Sequence, residues 1–153
     1  MEPKNSNTVN CQLMIRKPIK EVFQAFIDPA ITTNFWFTKS SGKLEEDKTI
    51  TWTWEMYGLS TQAIVKEIVE NQKIVIEWDV PSTIVNFEFK SLDKAKTFVV
   101  ITQDGFNVTG DELIESIKDN TGGFTTVLDG LKAYLEHGIN LNLIADKYPL
   151  RIK

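Results

Sequence analysis

The chain has 153 residues, a length typical of one domain, and its 42% hydrophobic and 25% charged residues match an average globular protein rather than a disordered one. No stretch approaches the roughly 20 apolar residues of a membrane-spanning helix, so we expect no membrane insertion. The net charge of −4 and the lack of a basic stripe argue against a nucleic-acid partner, because such partners require clustered lysine and arginine to neutralise phosphates.

The N-terminal part predicts a strand followed by two short helices. Residues 1–7 predict a frayed tail, and apolar residues then alternate over residues 9–15, as in a half-buried strand. Residues 18–27 begin with proline and continue with apolar residues at helical spacing, which predicts the first helix. Asp28, as N-cap, and Pro29 begin the second. That helix is predicted to carry three large apolar side chains, those of Ile31, Phe35 and Trp36.

A series of strands follows the turn signal at residues 40–42. Alternating residues separated by short turns predict five strands, at residues 49–56, 59–69, 73–80, 83–90 and 96–103. The alternation places four aromatic residues on the same strand faces as the aliphatic ones: Trp52, Trp54, Trp78 and Phe87. Consecutive strands joined by short turns indicate an antiparallel meander.

One long helix is predicted over residues 111–137, where apolar residues recur at helical spacing. Thr109 and Glu112 fit a capping box at its start, and Gly138 fits the C-cap position at its end.

Three glycines, Gly122, Gly123 and Gly130, fall within this helix. Each lowers helix stability by about 1 kcal/mol relative to alanine. Either the helix is broken at the first pair, or the missing side chains leave space for a ligand or let strands approach closely. The sequence alone leaves these alternatives open.

The order of elements indicates the fold class. A strand, two short helices, a series of strands and one long helix predict an α+β fold. We expect a curved antiparallel sheet of six or more strands wrapped around the long C-terminal helix, in a single domain over residues 1–153.

The sequence contains one cysteine, Cys11, and one histidine, His137. These two residues offer neither a disulfide nor a zinc motif, and we expect no metal and no cofactor. Cys11 lies in the first predicted strand and His137 in the last turn of the long helix, where structural roles are expected. The polar N-terminus lacks the apolar core of a signal peptide, and with the lone cysteine this predicts a cytoplasmic location.

Four segments, taken in order, resemble the first helix, the helix–aromatic segment, the second and third strands, and the C-terminal helix of a known family: residues 18–26, 28–37, 42–44 with 50–52, and 123–136. On these motifs the chain resembles the START-like superfamily, also called the birch-pollen-allergen-like or SRPBCC group. Within it, the chain is most similar to the family of the C-terminal domain of the activator of heat-shock protein 90 ATPase.

The resemblance implies a helix-grip fold with a cavity between the sheet and the long helix. Members of the superfamily bind lipids, hormones or polyketides there, and some catalyse cyclisation or ring hydroxylation. We therefore expect a binding protein for a small hydrophobic or amphipathic molecule, and an enzyme of polyketide-cyclase type is one alternative. A chaperone-interacting module is the other, which we expect less because the eukaryotic activator carries an additional N-terminal domain that this sequence does not include.

Ten apolar residues share the inferred inward faces and are predicted to line the cavity: Phe23, Phe26, Trp36, Trp52, Trp54, Trp78, Phe87, Phe124, Leu128 and Leu131. Ordinary core packing predicts the same pattern, because aromatic residues dominate cores as well.

Few groups are suited to catalysis, and we expect none of the usual nucleophilic or metal-dependent kinds. The carboxylates of Glu55, Glu77 and Glu88 have opposite parity to the aromatic residues and are predicted to face solvent. In the strand at residues 59–69, whichever face is buried carries a charge, Lys66 or Glu67. That residue is predicted either to reach solvent or to orient a polar ligand group in the cavity.

Overall fold

The computed structural model describes residues 7–78 and 82–149. Residues 1–6 of the predicted tail at 1–7 and the last two residues of the predicted strand at 73–80 therefore lie outside it. The strands are β1 (Val9–Ile15), β2 (Lys39–Ser40), β3 (Thr49–Trp54), β4 (Leu59–Val69), β5 (Lys73–Trp78), β6 (Thr83–Asp93) and β7 (Lys96–Asp104). The helices are α1 (Ile19–Ile27), α2 (Pro29–Thr32), α3 (Gly110–His137) and α4 (Leu143–Lys147).

The seven strands form one antiparallel sheet in the order β1-β7-β6-β5-β4-β3-β2, which curves around α3. Inner-face residues on neighbouring strands stand opposite one another: Phe87 of β6 pairs with Ile74 of β5 and Ile101 of β7. All three are fully or almost fully buried, and this burial of apolar surface is the main stabilising contribution. The predicted α+β helix-grip architecture is confirmed.

The long helix α3 runs without a break through Gly122 and Gly123. Its C-terminal half packs on the sheet through Phe124, Leu128 and Leu131, which are all buried. The first two turns are largely exposed. The apolar stripe therefore predicts the packed half of the helix correctly and overstates the burial of the other half.

The two ends of α3 match the capping predictions differently. Gly138 adopts a φ of 67°, and its N–H reaches the carbonyls of Ala133 and Tyr134, so the predicted C-cap is confirmed. Thr109 occupies the N-cap position, but its side chain makes no capping hydrogen bond. Gly110, the first helical residue, has a φ of 61°; this left-handed conformation is incompatible with a capping box, and that prediction is wrong.

The predicted strand at residues 49–56 is shorter than expected. β3 ends at Trp54, and a 3₁₀ turn at Glu55–Tyr57 leads into Gly58, whose φ is 59°. The turn carries Met56 away from the face shared by the tryptophans and leaves it 40% exposed.

The segment between α2 and β3 is also arranged differently from the prediction. α2 ends at Thr32, so Phe35 and Trp36 lie in the turn that follows the helix. The N–H groups of both residues donate to the Thr32 carbonyl at 3.1 and 3.0 Å, and both side chains are buried. β2 lies at Lys39–Ser40, before the segment 42–44 that resembled a second strand.

The last helix, α4, has no counterpart in the sequence-based prediction. It packs near the C-terminal half of α3, and the would-be Cβ of Gly130 lies 3.7 Å from Leu143. None of the helices within residues 7–78 and 82–149 is long and apolar enough to cross a membrane.

Candidate functional site

A cavity of about 390 Å³ opens between α3, α4 and the neighbouring end of the sheet; we call it the main cavity. It is lined by Trp36, Trp54, Tyr57, Leu59, Thr61, Trp78, Asp119, Asn120, Gly123, Phe124, Val127, Ile144, Lys147 and Tyr148. The walls are mostly aromatic and aliphatic, with a few polar groups among them, as in typical small-molecule sites.

Trp36 is the central residue of the aromatic wall. Its ring centroid lies 4.8 Å from that of Trp52, 5.8 Å from Phe124 and 6.1 Å from Trp78. Tilted and edge-to-face contacts of this kind are favourable for aromatic rings. With rings packed around it and only 6% of its surface exposed, Trp36 is a fixed part of the wall.

The sequence after α1 positions Trp36. The Asp28 side chain accepts a hydrogen bond from the Ala30 N–H at 3.0 Å, which confirms the predicted N-cap of α2. The Thr32 hydroxyl donates to the Ala25 carbonyl at 2.5 Å and so fixes α2 against the end of α1. Because the Trp36 N–H bonds to Thr32, the indole follows this anchored turn into the wall.

Two of the glycines of α3 have different surroundings. A Cβ built on Gly123 meets no atom within 4 Å, and Gly123 lines the main cavity. A Cβ built on Gly130 would lie 3.2 Å from the Phe35 Cβ and 3.3 Å from the Phe35 carbonyl oxygen. Gly123 therefore leaves open space, whereas Gly130 lets the segment after α2 approach the helix.

Tyr57 connects the sheet side of the main cavity to α4. Its hydroxyl donates to the Ile144 carbonyl at 2.7 Å and also lies 3.2 Å from the Tyr148 carbonyl. Ile144 is the second residue of α4 and Tyr148 follows the helix, and the last four carbonyl groups of a helix lack partners within it. Burial raises the pKa of Tyr57 above its ordinary value, and the hydroxyl, which is protonated at neutral pH even without this shift, acts as a donor.

Two charged residues, Asp119 and Lys147, lie at the exposed edge of the main cavity. Lys147 Nζ lies 3.6 Å from the position of a Cβ on Gly122, so the ammonium group rests over α3. Neither residue forms an ion pair within the described part of the chain. Both are available to a polar ligand group at this edge.

Behind the cavity wall lie two buried polar atoms that have no hydrogen-bond partner among the described residues, Trp78 Nε1 and Gln103 Oε1. Gln103 Nε2 donates to the Thr83 hydroxyl at 2.8 Å, and that hydroxyl donates to the Trp78 carbonyl at 2.9 Å. The rings of Trp36, Trp52 and Phe124 surround the Trp78 ring, with centroids 5.5 to 6.3 Å away. Weak N–H···π contacts with such rings are available to the indole N–H.

The ten predicted cavity residues divide into two groups. Four of them line the main cavity: Trp36, Trp54, Trp78 and Phe124. The other six lie in the hydrophobic core beneath it: Phe23, Phe26, Trp52, Phe87, Leu128 and Leu131. Tyr57 and the α4 residues, which the sequence analysis did not select, complete the wall. The sequence signal that could have indicated α4 is the short apolar run at residues 143–145, which follows the C-cap glycine Gly138.

Lys66 and Glu67 do not line the main cavity. The pairing of β4 with β5 shifts between Val65 and Glu67, so that a bulge at Lys66 interrupts the alternation of the strand. Both charged residues form ion pairs with neighbouring side chains, Lys66 with Glu77 at 3.4 Å and Glu67 with Lys73 at 3.1 Å. The expectation that one of the two must occupy a buried face is therefore wrong.

Cys11 and His137 lie apart from the main cavity. The Cys11 Sγ is 3.4 Å from the Thr121 carbonyl and 3.5 Å from the Thr125 hydroxyl, and burial raises its pKa. A thiol in such surroundings is a weak nucleophile. His137 is exposed at the end of α3. Within the described ranges, no three or more His, Cys, Asp or Glu residues are grouped so that they could hold a metal ion.

The fold and the cavity define the class of protein: a seven-stranded helix-grip domain of the START-like, or SRPBCC, superfamily. The chain belongs to the family described as "Activator of Hsp90 ATPase homolog 1-like protein", whose sequence model matches residues 16–136. α4 lies beyond the matched segment. No functionally curated protein matches the chain.

Solved structures share this fold. Protein SSP2350 from Staphylococcus saprophyticus is 28% identical with a TM-score of 0.77, and the match covers 88% of this chain and 95% of that one. The Aha1 dimer from Colwellia psychrerythraea is 19% identical with a TM-score of 0.73, covering 86% and 97%. DynU16, a putative protein in the dynemicin biosynthetic locus, is 16% identical with a TM-score of 0.79, covering 89% of this chain and 49% of DynU16.

Proposed function

We propose that the chain binds a small hydrophobic or amphipathic molecule in the main cavity. The observation that carries this proposal is the cavity itself, about 390 Å³ in volume and walled by three tryptophans, Trp36, Trp54 and Trp78. Small-molecule sites typically measure ~300–1,000 Å³ and combine apolar walls with a few polar groups.

The open space opposite Gly123 supports a role in binding. A glycine in a helix interior lowers stability by about 1 kcal/mol relative to alanine. At Gly130 a close neighbour explains the glycine, but at Gly123 a side chain would meet no atom within 4 Å. Packing within the chain therefore does not explain the glycine at this position, whereas a ligand in the main cavity would use the space that a large side chain would fill.

The positions of the charged groups favour an amphipathic ligand. Asp119 and Lys147 lie at the exposed edge, while Trp36 and Phe124 are buried deeper in the wall. A molecule with a polar end at this edge and an apolar body among the rings would leave no charge buried without a partner.

The same residues favour binding over the polyketide-cyclase alternative. Asp119 is the single carboxylate among the described lining residues, and no histidine or cysteine lines the main cavity with it. General acid–base catalysis relies most often on histidine, held within hydrogen-bond reach of the reacting group. The Tyr57 hydroxyl, another possible acid in the lining, already donates to the Ile144 carbonyl. Interaction with a chaperone, which the family description suggests, is the other alternative.

The proposal is tested by titration with a panel of fatty acids, flavonoids and polyketide-like aromatic compounds. Because three tryptophans line the main cavity, a bound probe is expected to change the tryptophan fluorescence and to raise the melting temperature. Gly123→Leu should abolish both responses, because its side chain begins in open space and extends into the main cavity.

Gly123→Ala is the matched control, since it brings the same gain in helix propensity but adds only one methyl group. It should keep most of the response. A panel member that binds Gly123→Leu as tightly as the unmodified chain would show that the main cavity is not the site.

A further inference from the structure

A second, smaller chamber of about 60 Å³ lies beside the main cavity, on the other side of α4. This volume has room for about two water molecules, at roughly 30 Å³ each. Its lining is more polar than that of the main cavity and includes Thr33, Asn34 and Thr38. Trp36 and Ile144 line both spaces, so these two side chains form the partition between them.

The two halves of the partition are held very differently. Trp36 is buried and fixed by its contacts with Trp52, Phe37 and Phe124. Ile144 is only half-buried and belongs to a five-residue helix, which is too short to be stable without tertiary contacts.

Ile144 packs against the edge of the hydrophobic core, and a hydrogen bond from Tyr57 fixes its backbone. The phenol donates to the carbonyl of Ile144 itself, at 2.7 Å, while the Tyr57 ring lines the main cavity. α4 also lies beyond the residues that the family model matches, which end at 136. The less buried half of the partition is thus contributed by a segment outside the family match.

We propose that Ile144, held by Tyr57, sets the length of the ligand by closing the passage from the main cavity to the small chamber. The inference rests on the proposed binding function and specifies the ligand class: an unbranched amphipathic molecule whose apolar body fills the main cavity. When Ile144 is shortened, the apolar end of a longer molecule reaches the small chamber. The side chains of Thr33, Asn34 and Thr38 there already donate to backbone carbonyls, and the rest of the lining is mostly apolar.

The test uses a series of straight-chain 1-alkanols of increasing length, with binding measured by tryptophan fluorescence and calorimetry. For the unmodified chain, affinity should rise roughly fourfold per methylene group until the main cavity is filled, and then stop rising. Ile144→Ala should move this plateau to alcohols longer by about two methylene groups, since the small chamber holds about that many heavy atoms. Ile144→Val, a smaller truncation, should move it less and serves if Ile144→Ala does not fold.

Ile139→Ala is the matched control, because Ile139 lies in the same segment, is 49% exposed and lines neither space. For Ile139→Ala, affinity should stop rising at the same alcohol length as for the unmodified chain. Tyr57→Phe keeps the ring but removes the hydroxyl, and should speed hydrogen exchange of the backbone amides of residues 143–147 even without an alcohol.

The outcomes separate the two proposals. If affinity stops rising at the same alcohol length in the unmodified chain, Ile144→Val and Ile144→Ala, the length-setting role is overturned. The binding proposal is then unaffected. An equal shift in Ile139→Ala, or unchanged hydrogen exchange in Tyr57→Phe, also overturns the length-setting role. If none of the alcohols binds any variant, binding of this ligand class fails and the length-setting role fails with it.

Discussion

Glu136 joins the end of α3 to the residue that follows β1. One carboxylate oxygen accepts hydrogen bonds from the Arg16 N–H at 2.7 Å and from Lys132 Nζ at 2.6 Å, and Lys132 also donates to the Met14 carbonyl. Burial alone would raise the pKa of Glu136, but these hydrogen bonds outweigh it and the pKa is lowered. The carboxylate is therefore more stable ionised in the folded chain than in the unfolded one.

Glu136→Gln should lower the free energy of unfolding at pH 7 by about 2 kcal/mol, the usual range for hydrogen bonds to a buried charged group. A lowered pKa stabilises the fold above the unfolded-state value of roughly 4.3, and this contribution is lost as the pH falls through the folded-state pKa. Urea unfolding between pH 7 and pH 3 should therefore show a difference from the unmodified chain that shrinks with acidification.

Glu115→Gln is the control for this measurement, because Glu115 pairs with Lys118 on the exposed surface of α3 and should contribute little. The stabilising role of the ionised Glu136 carboxylate would be contradicted by either of two results. One is a loss of free energy of unfolding in Glu136→Gln that stays constant down to pH 3; the other is a loss no larger than that in Glu115→Gln.

The glycines of α3 give a second prediction at the residue scale. Gly123→Ala should raise the free energy of unfolding by up to about 1 kcal/mol, since the new methyl group meets no neighbour and helix propensity improves. Gly130→Ala should lower it, because its methyl group would press on the Phe35 backbone carbonyl at 3.3 Å. Chemical denaturation of the two variants side by side checks this, and equal stabilisation by both would refute the packing explanation for Gly130.

At the scale of elements, the N-cap of α2 links local structure to the wall of the main cavity. Asp28→Ala should remove the hydrogen bond to the Ala30 N–H and lower the free energy of unfolding by about 1 kcal/mol. The Trp36 N–H donates to the carbonyl of Thr32, the last residue of α2. The fluorescence of Trp36 should therefore change as well. Asp129→Ala, at an exposed position of α3, is the control and should neither lower the free energy of unfolding nor change the fluorescence. An Asp28→Ala variant with unchanged stability would exclude the capping role.

Elements whose apolar spacing depends only on their own residues could be predicted from the sequence. β1, α1, the continuous strand β4 and the C-terminal half of α3 follow from periodicity and from local signals such as Asp28-Pro29 and Gly138. The bulge at Lys66 could not be predicted, because it is defined by the register between β4 and β5. α4 could not be predicted either, because five residues are too few to show a helical pattern. Its position also depends on a hydrogen bond from Tyr57, which is distant in the sequence.

The candidate site was harder to predict than the fold for a related reason. An inward-facing aromatic residue has the same sequence pattern whether it packs in the core or lines a cavity. Trp52 and Trp54 are two residues apart on the same strand face, yet Trp52 stacks on Phe37 in the core at 4.8 Å while Trp54 lines the main cavity. Only the placement of α4 and Gly123 decides where the packed core ends and the open space begins.

At the scale of the whole molecule, the sheet, α3 and the aromatic cluster form one continuous hydrophobic core, and the main cavity lies at its edge under α4. The family match, over residues 16–136, covers this framework except for β1; it includes the 3₁₀ turn but not α4. The residues that close the cavity, in the 3₁₀ turn and in α4, come from short local segments. We therefore expect relatives to share the framework and to differ in what the cavity admits.

Native mass spectrometry of the chain, purified without any extraction step, tests ligand binding most directly. We expect a non-covalent adduct of one small molecule per chain that dissociates on collisional activation. The adduct should be lost in Gly123→Leu but not in Gly123→Ala. An adduct retained to the same extent by Gly123→Leu, or the bare mass alone for all three proteins, would contradict binding in the main cavity.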